Sequence, residues 1–394
     1  MNITKIYLKH GKEQSLKRFH PWIFSGAINK IDGAVAEGDI VDLFSSDGEY
    51  LATGHYQPSS ISVRVFAFQK SNIDRDFWKQ KIVTALNRRK SLSLYPNKHT
   101  NIFRLIHGEG DNMPGLVVDI YGSTAVIQCH SIGMFRIIHL LAELIVEVFD
   151  GKITAVYDKS SGTIPNKANA DQADGYIFGK TVKEKLVENG NIFEVSWIDG
   201  QKTGFFIDQR ENRLLLQSFT KGKKVLNAFG YTGGFSVYAL RGEADKVVTV
   251  DSSEKAIELS DRNVSVNFDK HSNHQSVCAD VFDYLRETED MFDLVIIDPP
   301  AFAKHNDALR NALQAYKRLN ATAIRKLNPG GILFTFSCSQ VVSRVDFRNA
   351  VFSGCAITGR QVKILHQLTQ PADHPINIYH PEGGYLKGLV LEVE

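Results

Sequence analysis

Cysteine is scarce in this chain: 394 residues hold four, at positions 129, 278, 338 and 355. Their spacing fits neither a zinc ligand set nor the even, dense pattern of a disulfide framework, so no metal is expected and a reducing cytoplasm fits best. Long apolar runs are missing as well. The opening MNITKIYLKHGKEQSLKRFH is polar and basic rather than signal-like, and no later stretch reaches the roughly 18 uninterrupted apolar residues of a spanning helix, so no membrane partner is expected. Excess charge is lacking too. With 46 Lys and Arg against 44 Asp and Glu the formal charge is +2, too little by itself to argue for a nucleic-acid partner. There are no internal repeats and no low-complexity tract.

What is present is the composition of a globular protein, 43% apolar and 23% charged, in a chain long enough for two or three domains. Residues 1–72 carry short alternating runs (IYLKH, DIVDLF, EYLATGHY, ISVRVFAF) between Gly, Asp and Ser turns, which predicts a small β domain. Apolar spacing of three and four over 73–92 predicts a linking helix. Strands and a helix then alternate over 73–190, a small α+β central domain, in which Lys159 to Gly175 reads as a mobile surface loop. From 191 to 394, continuous apolar strands alternating with amphipathic helices predict a parallel sheet covered on both faces, a Rossmann-like α/β domain whose ligands lie at the carboxyl ends of its strands.

Those strand ends carry the informative residues. The first closes in Asn227-Ala-Phe229-Gly230-Tyr231-Thr232-Gly233-Gly234, a glycine turn at a helix start that lacks the dinucleotide spacing. The second ends in Asp251-Ser252, about 20 residues on, where a carboxylate can accept the hydroxyls of an adenosine ribose. The third ends in Asp280-Val281, placed to meet an adenine edge, and the fourth in Asp298-Pro299-Pro300-Ala301-Phe302. Any one of these acids reads equally well as a helix cap. Together they resemble the motif series of class I S-adenosylmethionine-dependent methyltransferases.

Strand five, ILFTFSCS, brings Cys338 to the end of the sheet beside Asp298. A thiol there suits methylation at carbon 5 of a pyrimidine: addition at carbon 6 makes carbon 5 nucleophilic. Asp298 would then hydrogen-bond the nitrogen 3 side of the ring. The base that removes the carbon 5 proton is not identified; His366, His374 and Glu382 are the candidates. Cys129, Cys278 and Cys355 read as structural.

The chain resembles the ribosomal RNA large-subunit methyltransferase I family through His20-Pro-Trp-Ile-Phe-Ser-Gly26, Gly200-Gln-Lys-Thr-Gly-Phe-Phe-Ile-Asp-Gln-Arg210, the Asn227 to Gly234 turn, Asp298 to Phe302 and Phe336-Ser-Cys-Ser339. The resemblance implies a PUA domain, a central domain and a methyltransferase domain. It further implies methyl transfer to carbon 5 of a cytidine in large-subunit ribosomal RNA, with Cys338 as nucleophile and Gln209 or Arg210 reaching the cofactor. Thr163 to Ala168 departs from the family pattern, which has an arginine and an acid-Gly pair there. In this light the basic N-terminal residues (Lys5, Lys17, Arg18) and the acid-free run from Lys79 to Arg104, with Arg88, Arg89 and Lys90, read as an RNA footprint, joined by Pro299, Pro300 and Phe302. Trp22 and Phe24 read as core.

Two other functions compete. Asp-Pro-Pro with a nearby aromatic resembles exocyclic amino methyltransferases, which need no cysteine, although Ala301 stands where their aromatic is expected. A ribosome-assembly factor that binds RNA without catalysis is the other; the presence of Asp251, Asp280, Asp298 and Cys338 together argues against it.

Overall fold

The computed structural model describes residues 3–164, 173–268 and 273–394. Residues 165–172 of the loop expected to be mobile, and with them most of the departing Thr163 to Ala168 stretch, therefore lie outside the described residues. Contacts divide the chain into two compact units. The first comprises Met1–Val187, Val195–Ile207 and Ala372–Gly383, and the second Glu188–Glu194, Asp208–Pro371 and Gly384–Glu394.

The first unit holds two sheets. Strands β1 (Thr4–Leu8), β2 (Trp22–Phe24), β3 (Ile28–Asp32), β4 (Ile40–Phe44), β5 (Tyr50–Tyr56) and β6 (Ile61–Ala67) pair in the order β2-β6-β5-β4-β1-β3. Strands β7 (Ile102–His107), β8 (Leu116–Tyr121), β9 (Thr124–Cys129), β10 (Ala155–Asp158) and β11 (Gly175–Gly179) follow the order β11-β10-β9-β8-β7. The helix expected over 73–92 runs from Arg75 to Ser91, started by the Asp74 carboxylate accepting the Phe77 N–H at 3.0 Å. Its Trp78, Ile82, Ala85 and Leu86 bury against Phe103, Leu105 and the apolar face of the helix Ile138–Val148. Strand β7 escaped the sequence reading, because two charged or polar residues interrupt its short apolar run.

A hairpin of β12 (Leu186–Glu188) and β13 (Asn191–Phe193) precedes the main sheet. That sheet comprises β14 (Lys224–Ala228), β15 (Lys246–Asp251), β16 (His274–Cys278), β17 (Phe292–Ile297), β18 (Leu327–Ser337), β19 (Val362–Leu368) and β20 (Lys387–Val393). The order is β16-β15-β14-β17-β18-β20-β19, with the first five parallel and β20 antiparallel to both its neighbours. The order reverses between β14 and β15 on one side and β17 on the other, and the carboxyl ends at such a switch point form a crevice. Strands β14, β15, β17 and β18 are buried along nearly their whole length, which is why they read as continuous apolar runs. Among the described residues, no helix is long and apolar enough to cross a membrane and no cluster of His, Cys, Asp and Glu could hold a metal.

The basic run from Lys79 to Arg104 is largely neutralised from elsewhere in the chain. Lys79 pairs with Glu147 at 2.6 Å, and Arg104 with Asp119 at 2.8 Å. Lys81 donates to the carbonyls of Phe66 and Asn112, and burial pushes its ammonium down to about 8. Arg88 pairs with Asp111. Arg89 corrects the RNA expectation outright: it is fully buried, grips Asp111 with both terminal nitrogens at 2.6 and 2.8 Å, and donates to the carbonyls of Arg104 and Asp373. Such a bidentate buried pair ties the helix to its neighbours and leaves no surface for a phosphate. Lys90 and Lys98 remain exposed.

Candidate active site

The turn after β14 is built from backbone that side chains rarely adopt. Phe229 and Tyr231 have φ of 59° and 44°, and Gly233 has 74°. Between them Gly230 allows no substitute, since a Cβ there would stand 2.4 Å from Thr249 Cγ2. The helix Gly234–Arg241 starts without a side-chain cap, so its first N–H groups face the crevice mouth without help from their own sequence. Asn227 is buried; its amide nitrogen donates to Ser236 Oγ at 2.8 Å, while its carbonyl oxygen has no hydrogen-bond partner among the described residues. Asn263 Nδ2 holds the Thr232 carbonyl at 2.9 Å.

Asp251, at the end of β15, closes the same turn. One carboxylate oxygen accepts the Tyr231 N–H and the other the Ser253 N–H, both at 2.9 Å. Ser252 beside it is exposed. Asp280 is exposed and serves as the cap of the helix Val281–Glu287, accepting the Asp283 N–H at 3.1 Å, with Val281 buried beneath. Rings at Phe229, Phe282, Phe302 and Tyr316 then run in series at centroid spacings of 6.2, 6.3 and 4.8 Å. This line connects the β14 turn with the Asp298-Pro299-Pro300 turn. Phe282 and Tyr316 are absent from the sequence reading, because an aromatic on a helix reads as core until its neighbours are known.

At the far end of the series, Asp298 Oδ2 accepts from Gln209 Nε2 at 2.9 Å, and Gln209 Oε1 accepts from Asn212 Nδ2 at 2.6 Å. Gln209 thus orients the acid. Arg210 does not follow it: buried, its guanidinium lies 3.2 Å from Glu211 Oε1. Cys338 follows β18 directly, with its Sγ 3.9 Å from the Pro299 carbonyl, and Ser339 Oγ donates to the Ala303 carbonyl at 2.5 Å. Tyr316 is buried near both Cys338 and Asp298, and burial holds its phenol well above its ordinary range. Pro299 is buried, Pro300 exposed and Phe302 half-buried.

The three candidate bases are scattered. His366 is exposed on β19, the outermost strand, separated from β18 by β20. His374 is buried in the first unit with its Nδ1 3.1 Å from Asp373 Oδ1, and Glu382 of that unit lies 3.7 Å from both His20 and His380. Among the proposed RNA contacts, Lys17 pairs with Glu49 at 3.0 Å, Lys5 lies 5.6 Å from the Phe44 ring, and Arg18 is exposed. Phe24, expected in the core, is 49% exposed.

Residues 6–68 match the model of a PUA-like domain, and residues 160–377 that of S-adenosylmethionine-dependent methyltransferases. A ribosomal RNA large subunit methyltransferase I of Aeromonas hydrophila is 39% identical, covering 98% of this chain and 99% of that protein. The chain belongs to the ribosomal RNA large subunit methyltransferase I family. Another member, from Vibrio cholerae, is 37% identical over 98% of this chain and 99% of its own. Solved structures agree on the fold of the family. A Streptococcus mutans protein described as a SAM-dependent methyltransferase has a TM-score of 0.84 at 24% identity, covering all of both chains. A methyltransferase complexed with SAH gives 0.86, also at 24% identity and full coverage. S-adenosylmethionine is accordingly the methyl donor, and the Gly230 cradle with the unpartnered Asn227 oxygen fits a polar, nucleoside-bearing ligand.

Proposed function

We propose that this methyltransferase acts on carbon 5 of a cytidine in large-subunit ribosomal RNA through a covalent adduct at Cys338, working in the cytoplasm. The observation that carries the reading is the cysteine following β18, its sulfur 3.9 Å from the Pro299 carbonyl of the turn that bears Asp298. The Cys338 thiolate adds to carbon 6 of the ring, breaking the 5,6 double bond and placing an electron pair on carbon 5. S-adenosylmethionine supplies the electrophilic methyl carbon. Asp298, oriented by Gln209, hydrogen-bonds the nitrogen 3 side and stabilises charge that builds there during addition. Loss of the carbon 5 proton to a base then re-forms the double bond and expels the thiolate.

In this reading Asn227, Phe229, Gly230, Tyr231, Thr232 and Gly233 cradle the donor. Asp251 and Ser252 meet its ribose, Asp280 and Val281 its adenine, and Gln209 and Asp298 its reactive end. Arg210, buried beside Gln209 in the chain, belongs to the same cofactor-binding set. Lys5, Lys17, Arg18, Arg88 and Lys90 contact RNA phosphates, with Pro299, Pro300 and Phe302 flanking the target base. The division into a PUA domain at 1–72, a central domain at 73–190 and a methyltransferase domain at 191–394 belongs to the same proposal.

The test uses radiolabelled S-adenosylmethionine, unmodified large-subunit ribosomal RNA and nucleoside analysis of the product. Wild type should place label in 5-methylcytidine and Cys338→Ala should place none while binding the donor normally. Equal incorporation by the variant would exclude the covalent route and favour amino methylation; label in neither would point to another substrate.

A further inference from the structure

Lys387 lies on β20 directly opposite Ser337, the last residue of β18, and is 3% exposed. Its ammonium donates to the carbonyl of Ser339. Nζ therefore rests at the short turn whose middle residue is Cys338. Among the described residues no carboxylate lies within ion-pair distance of Lys387. A lysine buried without an acid is costly to keep charged, and burial pushes this one down to about 8.

The charges around it narrow its role. Cys338 favours the ammonium, and Arg344, at the start of the helix Arg344–Ala356, opposes it. Arg344 is itself engaged by the Leu368 carbonyl and Thr369 Oγ1. Tyr316, from the helix Leu309–Arg325, feels Cys338 and Asp298, but burial above all keeps its phenol protonated and neutral, so it brings no charge to the turn. Asp298, at the end of β17, accepts from Gln209 and lies beyond ion-pair distance of Lys387. The group that can balance a buried ammonium at this turn is a thiolate.

We propose that Lys387 is the positioning residue of the nucleophile, its ammonium serving as the counter-charge of the Cys338 thiolate. The Sγ–H bond breaks with its proton passing to solvent water, and the sulfur keeps the electron pair beside the Nζ ammonium. Addition to carbon 6 consumes that pair and elimination returns it, while the lysine keeps its protons throughout. The inference rests on Cys338 as nucleophile for its purpose, and its test is independent of methylation.

The full chain carrying Cys278→Ser, which removes the exposed thiol, would be alkylated with iodoacetamide from pH 6 to 9, and the rate at Cys338 followed by peptide mass spectrometry. Lys387→Met should slow alkylation at pH 7 by about tenfold and move its midpoint up by about one pH unit, with Lys387→Arg near wild type. Unchanged rates in Lys387→Met, or an Arg variant as slow as Met, would overturn the proposal. Should the Met variant lose donor binding through misfolding, thiolate absorbance of the lysine-intact protein, minus that of its Cys338→Ala partner, still decides. A midpoint below the ordinary value of about 8.5 supports the pair, and one at or above it overturns it. A shifted alkylation profile in a protein whose Cys338→Ala variant still methylates would keep the ion pair and reject the covalent route. A dead Cys338→Ala variant with an unmoved profile would do the reverse.

Discussion

Gln209 shows how one side chain acquires a role from its neighbours. Its amide nitrogen holds Asp298 and its oxygen is held by Asn212, so the acid's orientation depends on a residue 89 positions earlier. A hydrogen bond to a charged group contributes about 1.5–3 kcal/mol. Gln209→Leu should therefore lower kcat by about ten- to a hundredfold, because the acid loses its aim, and the calorimetric affinity for S-adenosylmethionine should fall with it, because the donor's reactive end loses a contact. Unchanged kcat would remove Gln209 from the mechanism.

At the scale of elements, the seam between the first sheet and the helix Arg75–Ser91 is closed by His55, which stacks on Trp78 at 6.0 Å and packs on Phe66 at 4.8 Å. Complete burial drives its imidazole down to about 3, with Arg136 adding to the effect. The folded chain thus refuses a proton that the unfolded chain accepts below about 6.5, so stability is full above that value and falls as pH drops from there toward 3. Between pH 7 and 5 the wild type should lose about 2 kcal/mol more than His55→Leu. Denaturant unfolding followed by tryptophan fluorescence measures this, since Trp22, Trp78 and Trp197 all belong to the first unit. Parallel pH profiles would show that the imidazole charges without penalty.

Across the whole molecule, charge that looks continuous in sequence is mostly consumed internally. RNA affinity should therefore depend on few cations: Arg18→Ala and Lys90→Ala should each reduce the slope of log affinity against log salt by about 0.7–0.9, whereas Lys79→Ala, which removes an ion pair to Glu147 rather than an RNA contact and leaves that carboxylate to Arg75, should leave the slope unchanged. Filter binding to ribosomal RNA over a salt series measures it. Equal effects at Lys79 and Lys90 would restore the cluster as a footprint.

The alternation of apolar strands with amphipathic helices, the strand-end acids, the glycine turn and the cysteine after β18 were legible in the residues, because each is a local pattern repeated at the period of its own element. Strands β19 and β20 and the helix Arg344–Ala356 were not read out of the chain's last third, where mixed polar residues blur that period. Only the tertiary structure decided which charges pair. Arg89 finds the carbonyl of Asp373 across 284 positions, and Lys387 reaches the turn of Cys338 across 48. Burial and counter-charge depend on what packs alongside a residue, and sequence period carries no information about neighbours that distant.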